Sequence, residues 1–325
     1  MSTPVLTPDE YFQALSRWRR PWHADYLAMY SSQISGIVTD PALWNVPADD
    51  HMVHRGDAVF EVFKCVGGRA YCLGDHLEKL KACAAALAFR MPPEFERIGE
   101  ILRDTVRAGG EKDVLVRVTI SRGPGGFTAN PYESPSGLLL VTVLRLKSPG
   151  QEKYEGGVKV VTSPFPAKDP LIATMKTCSY LQNVLVRKGA LDAGADYAVC
   201  FGHDGLMTES STENIAIITR AGEFLAPEWR LILKGSTLTR LMALADGLVR
   251  EGLLSAVRHT GVTRAMARQA AEALICSTTT DILSIVTWDG EPVGEGRPGP
   301  MARELRRRLK AEYTDPASPW LTDFF

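Results

Sequence analysis

Apolar and polar residues follow two periods along this chain, and the switches between them mark its elements. Residues 7–19 predict a helix, with Thr7 as N-cap, Pro8 in the first turn, then acids and an apolar stripe. Residues 22–47 are aromatic and irregular, with no period that assigns them. Val59 to Val66 alternates as a strand, Gly67-Gly68 supplies a hairpin turn, and Ala70 to Leu73 is the return strand. Asp75 is placed to cap a helix whose apolar positions, Leu77, Leu80, Ala84 and Leu87, keep helical spacing. Another helix is expected over 90–110, then a β-branched strand from Val114 to Ser121, a glycine-rich turn at 122–126 and a strand over 137–146.

The second half opens with a strand from Val158 to Thr162. Lys176 follows in a small, polar setting, just ahead of the apolar-periodic run Leu181, Val184, Leu185 and Leu191, which predicts a helix. A short strand (Tyr197 to Phe201), a turn at Asp204-Gly205 and a second strand carrying Glu209 make a hairpin. The cluster Ser210 to Asn214 leads into a buried strand, Ile215 to Ile218. A lysine and a carboxylate thus stand at element ends, in reach of one cleft. Gly235-Ser236-Thr237 precedes the helical stripe Leu241, Met242, Ala245, Leu248 and Val249. A helix start of this kind offers free amides and a favourable dipole to an anion, and it is equally an ordinary N-cap. Ser277 to Thr280 form a third hydroxyl cluster after the apolar strand Ala273 to Cys276, and residues 300–313 predict a basic terminal helix.

Length turns this list into two domains, because 325 residues exceed one typical core. The polar, Pro- and Gly-bearing run at 147–157 is the expected linker, which gives an N-terminal α/β domain at 1–146 and a second domain at 158–325. A net charge of −1 gives no reason to expect a nucleic acid or a membrane surface as partner. No apolar run reaches the ~20 residues of a spanning helix. The N-terminus lacks a signal-peptide apolar core and reads as retained. Six cysteines without a CxxC pair fit a reduced, cytoplasmic protein. His51 and His54, even with His76, complete no metal-ligand spacing, so no metal is expected. The run 122–126 lacks the Gly-Lys-Ser/Thr ending of a phosphate loop.

The order of lysine, helix, hairpin, glutamate and hydroxyl clusters resembles the class IV (fold-type IV) pyridoxal-phosphate enzymes: D-amino-acid aminotransferases, branched-chain aminotransferases and aminodeoxychorismate lyases. Thr208-Glu209-Ser210-Ser211-Thr212-Glu213-Asn214-Ile215 matches their T-E-x-S/T…N-(I/L) motif. The resemblance implies that Lys176 holds pyridoxal 5′-phosphate as a Schiff base, that Glu209 pairs with the ring nitrogen, and that Tyr180 reaches the phenolic oxygen. A second block, from His51 onward, is similar to the family's G-D/T-x-(V/A)-F/Y-E strand, hairpin and H-(I/L)-x-R-L helix. The arginine that grips the cofactor phosphate is Lys79 here, which supplies charge without a bidentate fork. Ser236 and Thr237 fall on the phosphate loop G-(I/V)-T-R, with the arginine displaced to Arg240. Thr278 and Thr279 fall on the turn that binds the phosphate and the substrate carboxylate.

Phe60, Val62 and Lys64 fall on pocket-wall positions, and Arg117 is a candidate for the substrate carboxylate. Val62 and Lys64 depart from the F-E-G-x-R of branched-chain enzymes toward the Y-E-V-x-K of D-amino-acid aminotransferases. The expected activity is therefore transfer of an amino group between a D-amino acid and a 2-oxo acid. A branched-chain L-amino-acid aminotransferase, a lyase (suggested by the SRGPGG run) and a non-catalytic cofactor-binding protein stay open. Over residues 50–295 the resemblance implies a two-domain α/β (α+β) fold with the cofactor in the cleft between domains, and a homodimer.

Overall fold

The computed structural model describes residues 3–325; Met1 and Ser2, the start of the expected first domain and of its retained N-terminus, lie outside the described residues. The chain divides into two compact units, residues 1–146 with 322–325, and residues 147–321.

In the first unit, α1 (Pro8–Ser16) starts at a capping box: Thr7 Oγ1 accepts from Glu10 N–H, and Glu10 Oε2 accepts from Thr7 N–H at 2.8 Å. The irregular-looking segment after it contains two strands, β1 (Tyr26–Ser31) and β2 (Gly36–Val38). Aromatic crowding hid their period, yet Ala28, Met29 and Tyr30 are buried. After the short α2 (His51–Arg55) come β3 (Ala58–Val66), β4 (Arg69–Tyr71), α3 (Leu73–Ala86), α4 (Ile98–Gly109), β5 (Val114–Ser121) and β6 (Leu138–Arg145). Two helix starts differ from expectation. Cys72, with φ at 53°, is the cap of α3, so Asp75 serves as a first-turn acid. Pro92 and Pro93 admit only a 3-10 turn before α4, which delays it to Ile98.

The sheet runs in the order C-terminal strand (Leu321–Asp323), β4, β3, β5, β6, β1, β2. Val59, Phe63, Leu80, Leu102, Val116 and Val141 share one core, so that face of the sheet packs under α3 and α4. Strand alternation turns Phe60, Val62 and Lys64 to the opposite face, and the β3–β5 register sets Arg117 beside Val62 and Thr119 beside Phe60. The chain's last residues belong here rather than to the second unit. Phe324 is buried in this core, donates its N–H to Gly68 O (3.0 Å) and accepts from Arg107 Nε (2.6 Å).

The second unit holds α5 (Gln151–Gly156), within the stretch expected as a linker, then β7 (Val158–Thr162), α6 (Pro170–Ala173), α7 (Leu181–Asp192), β8 (Tyr197–Val199), β9 (Asn214–Ile218), β10 (Glu223–Ala226), α8 (Ser236–Arg250), β11 (Ala256–His259), α9 (Arg264–Gln269), β12 (Glu272–Ser277), β13 (Asp281–Trp288) and α10 (Pro300–Thr314). Its sheet is ordered β11-β10-β9-β12-β13-β7-β8 and is mixed, with parallel pairs at β10–β11, β13–β7 and β7–β8. Every residue of β9 is buried, which makes it the spine on which the hydroxyl-rich motif ends. Arg240 ties α8 to α10 through a two-pronged pair with Glu312 (3.0 and 2.5 Å) and lies 3.6 Å over the Trp320 ring.

The buried face of α7 is not the one its apolar stripe marks. Helix α7 buries Asn183, Val186 and Ala190, while the apolar residues Leu181, Val184 and Leu191 are exposed. The buried side is held by Asn183 Nδ2 donating to Ser211 O and by close packing of Ala190 with Ala198 and Cys200. Small residues let α7 approach β8 closely, and the larger ones are left outside.

Candidate active site

Lys176 owes its place to a tight local turn. Asp169 Oδ1 accepts from Leu171 N–H (2.9 Å) and so caps α6, and Met175 N–H donates to Ile172 O (3.1 Å). The chain then passes Lys176 and reaches Tyr180 at the start of α7. Glu209 arrives from the other side. Thr208 N–H donates to Cys200 O and Cys200 N–H to Glu209 O (both 3.0 Å), so the returning arm of the hairpin lies along the end of β8. That arm makes isolated bridges, Phe201 with Met207 and Glu209 with Asn214, in place of the expected regular strand. Its shape is fixed by Glu213, which accepts from Thr212 N–H (3.1 Å) and Ser211 Oγ (3.4 Å), and by Ser210 N–H donating to Glu213 O (2.8 Å).

These two arms bring Lys176, Tyr180 and Glu209 into the wall of one small cavity of about 20 Å³, together with Lys168, Asn214 and Leu233. Glu209 Oε2 accepts from Leu233 N–H (3.1 Å) and Asn214 Nδ2 (3.4 Å), and Asn214 Nδ2 also donates to Leu233 O (3.1 Å). Burial pushes the Glu209 carboxyl above its ordinary pKa; Lys168, the Leu233 amide and Lys176 pull it back, and Glu213 adds a smaller upward push. A second cavity of about 20 Å³ also touches Lys168, Asn183 and Glu209. Lys168 lies 5.3 Å over the Tyr180 ring, and burial lowers its ammonium pKa against the upward pull of Glu209. Sequence reading passed over Lys168; its only signal was a lysine in the proline-rich run Pro164 to Pro170.

The anion-binding candidates lie next to this cavity. Gly235, the N-cap of α8, comes so close to Asn214 that a Cβ there would stand 2.1 Å from Asn214 Oδ1, so any other residue would have to displace the Asn214 amide. Gly235 has no side chain with which to cap α8, and Ser236 and Thr237 are both buried in its first turn. Cys276 pairs with Asn214 across β12 and β9, which puts the Ser277 to Thr280 turn immediately beyond. Ser277 Oγ meets Thr280 Oγ1 at 2.9 Å and Thr279 Oγ1 at 3.5 Å, and Thr278 stands at the tip of that turn.

The remaining candidates are in the first unit. Lys79 Nζ is 3.5 Å from Glu61 Oε1, and Glu61 Oε2 is 2.6 Å from His76 Nδ1, so Lys79 joins a buried charged cluster on the helix side of β3. On the other face, Arg117 stacks 3.9 Å over the Phe60 ring and donates from Nε to Thr119 Oγ1 (3.2 Å). Lys64 is buried, with Nζ 6.0 Å from the Tyr71 ring centre, and Val62 is half-buried beside Arg117.

The donor set is that of a phosphate-bearing, amine-reactive group: an amine, an enclosed carboxylate, a glycine-capped helix start and a hydroxyl turn. Two polar atoms in this region, Asn183 Oδ1 and Ser210 Oγ, are buried without a hydrogen-bond partner among the described residues. A family model described as amino-transferase class IV matches residues 58–288. The chain belongs to the class IV aminotransferases. It is an enzyme with pyridoxal 5′-phosphate as cofactor, and it moves amino groups between amino acids and 2-oxo acids. It is 35% identical to the D-amino-acid transaminase, chloroplastic, of Arabidopsis thaliana over 94% of this chain and 80% of that one. It is 27% identical to the branched-chain-amino-acid aminotransferase of Pseudomonas aeruginosa, over 84% of this chain and 90% of that one. The fold is that of the branched-chain amino acid aminotransferase from Escherichia coli, with a TM-score of 0.81 at 22% identity, covering 92% of this chain and 99% of that one. Among the described residues of this aminotransferase no helix is long and apolar enough to cross a membrane, and no cluster of three His, Cys, Asp or Glu side chains is placed to hold a metal ion.

Proposed function

We propose that this aminotransferase acts on D-amino acids, with Lys176 as the residue that bonds the cofactor. The observation that carries the site assignment is the cavity that joins Lys176, Tyr180 and Glu209. The similarity to a plant D-amino-acid transaminase over nearly the whole chain supports the D-specific reading. When bound, pyridoxal phosphate supplies an aldehyde that bonds amines and a ring that accepts the electron pair left at the substrate Cα. Lys176 Nζ would hold the cofactor at rest and, when free, would move a proton at the substrate Cα as a general base. Glu209 would keep a proton on the ring nitrogen, while Leu233 N–H and Asn214 Nδ2 orient its carboxylate. Ser236 and Thr237, at the glycine-capped start of α8, would take the phosphate, joined by Thr278. Tyr180 would face the phenolic oxygen. Lys79, in its ion pair with Glu61, is proposed as a further phosphate contact. Phe60, Val62, Lys64, Arg117 and Thr279 are proposed to face the substrate.

Amino donors decide the substrate. With 2-oxoglutarate as acceptor, D-alanine should give a kcat/KM at least about tenfold above that of L-leucine, a difference of about 1.4 kcal/mol in transition-state binding. Preference for L-leucine would overturn the D-specific reading in favour of branched-chain transamination.

We propose also that the enzyme is a homodimer. Leu181, Val184 and Leu191 of α7, with Leu171 and Ile172 of α6, leave an apolar stripe exposed on either side of Lys176 in sequence. Light scattering should return twice the chain mass of 35.6 kDa, and Leu181→Glu with Val184→Glu should halve it. A wild-type monomer would refute the assembly. A cytoplasmic location is proposed because all six cysteines are free thiols, as in a reducing compartment; the Arabidopsis relative's name places that protein in the chloroplast. Cell fractionation that finds the enzyme in an oxidising compartment would refute it.

A further inference from the structure

Glu209 poses an electrostatic problem that its two hydrogen bonds do not solve. Both donors, Leu233 N–H and Asn214 Nδ2, are neutral and both reach the same oxygen, Oε2. A carboxylate enclosed in this way needs a nearby cation to stay ionised. Lys176 is a poor candidate for that task, because its amine is committed to covalent chemistry in the function proposed above. Lys168 has no such commitment. It lines two cavities that touch Glu209, and its ammonium lies over Tyr180. Its influence on Glu209 is exerted across this space rather than through a direct ion pair. The second cavity, about 20 Å³ in volume, is large enough for one water, and Asn183 and Ser210 in its wall each leave a buried polar atom without a protein partner among the described residues.

We propose that Lys168 is a positioning residue for the reaction: a cation in the wall of the site that holds Glu209 as a carboxylate, across the small cavity it shares with Asn183 and Ser210, and so lets Glu209 keep the cofactor's ring nitrogen protonated. The inference rests on the assignment of Glu209 to that nitrogen. The charged and titratable groups around Glu209 are Lys168 from the segment before α6, Lys176 after it, Tyr180 at the start of α7, Glu213 across the motif loop and Cys200 at the end of β8. Of these, only the two lysines favour the ionised form.

The sign of the effect follows. Removing Lys168 makes Glu209 bind a proton more readily, so it is neutralised at a higher pH than in the wild type. Cofactor-loaded Lys168→Met should keep a visible band, but the acid limb of its kcat/KM profile and of its spectral titration should move up by about one pH unit or more, with kcat down about tenfold or more near neutrality. Lys168→Arg, which restores the charge, should return both toward wild type. Should Lys168→Met not fold, Lys168→Gln provides the same comparison. A neutral variant with the wild-type spectral titration and turnover would overturn the inference, as would an arginine variant that behaves like the neutral one. Wild-type protein that shows no visible band with added pyridoxal phosphate would instead overturn the cofactor assignment itself, so the two failures are distinguishable.

Discussion

Lys176→Ala is expected to lower turnover by at least about 10⁴-fold, with the fold and the melting temperature unchanged. The size follows from two losses at one atom: the amine that bonds the cofactor, and the general base, which alone contributes about 10² to 10⁴. Stability is spared because Lys176 is half-buried at the edge of the site and belongs to no apolar core. Initial rates with saturating D-alanine and 2-oxoglutarate, alongside a thermal melt, check both halves. A variant with more than a few per cent of wild-type turnover would show that another amine does the work, and Lys168 would be the first to examine.

Glu209→Gln is the second large effect. The amide keeps the size of the side chain, and its oxygen can still accept from Leu233 N–H and Asn214 Nδ2, so the cavity wall should survive. What is lost is the negative charge that holds a proton on the ring nitrogen. Removing one preorganised electrostatic contact of this kind costs about 10² to 10³ in kcat. KM should change much less, because the lost interaction strengthens only as charge develops. The melting temperature should change little, since the amide is cheaper to enclose than a carboxylate whose pKa burial has already raised, which offsets the counter-charge lost to Lys168. Unchanged kcat in this variant would remove Glu209 from the mechanism.

The parts of this site that were legible in the sequence are those written in local chemistry. The N-cap at Thr7, the strand Val114–Ser121, the strand Val158–Thr162 and the buried strand after Asn214 all stand where propensity and period put them. Lys176 and Glu209 were visible because a motif and a hairpin fixed them to element ends. What stayed hidden depends on packing against distant segments. The helix α7 was legible from its apolar stripe, but which side of it is buried was not, because periodicity identifies an apolar face without saying what covers it, and Asn183, Val186 and Ala190 take the approach to β8. Strands β1 and β2 escaped because aromatic residues blur a period of two, and only pairing with each other and with β6 declares them strands. The return of Phe324 to the first core could not be read locally at all, since its partners, Gly68 and Arg107, lie more than two hundred positions away. Lys168 was missed for a related reason. A lysine between prolines reads as surface until the fold places it beside Glu209 and Tyr180.

The most direct test of the account is to trap the bond on which it rests. The enzyme loaded with pyridoxal phosphate would be reduced with borohydride, digested, and its peptides mapped by mass spectrometry. The account predicts one pyridoxyl-modified lysine, Lys176, and no modified peptide from Lys176→Ala. A pyridoxyl group on Lys168 or Lys79, or none on any lysine of a cofactor-loaded sample, would contradict it.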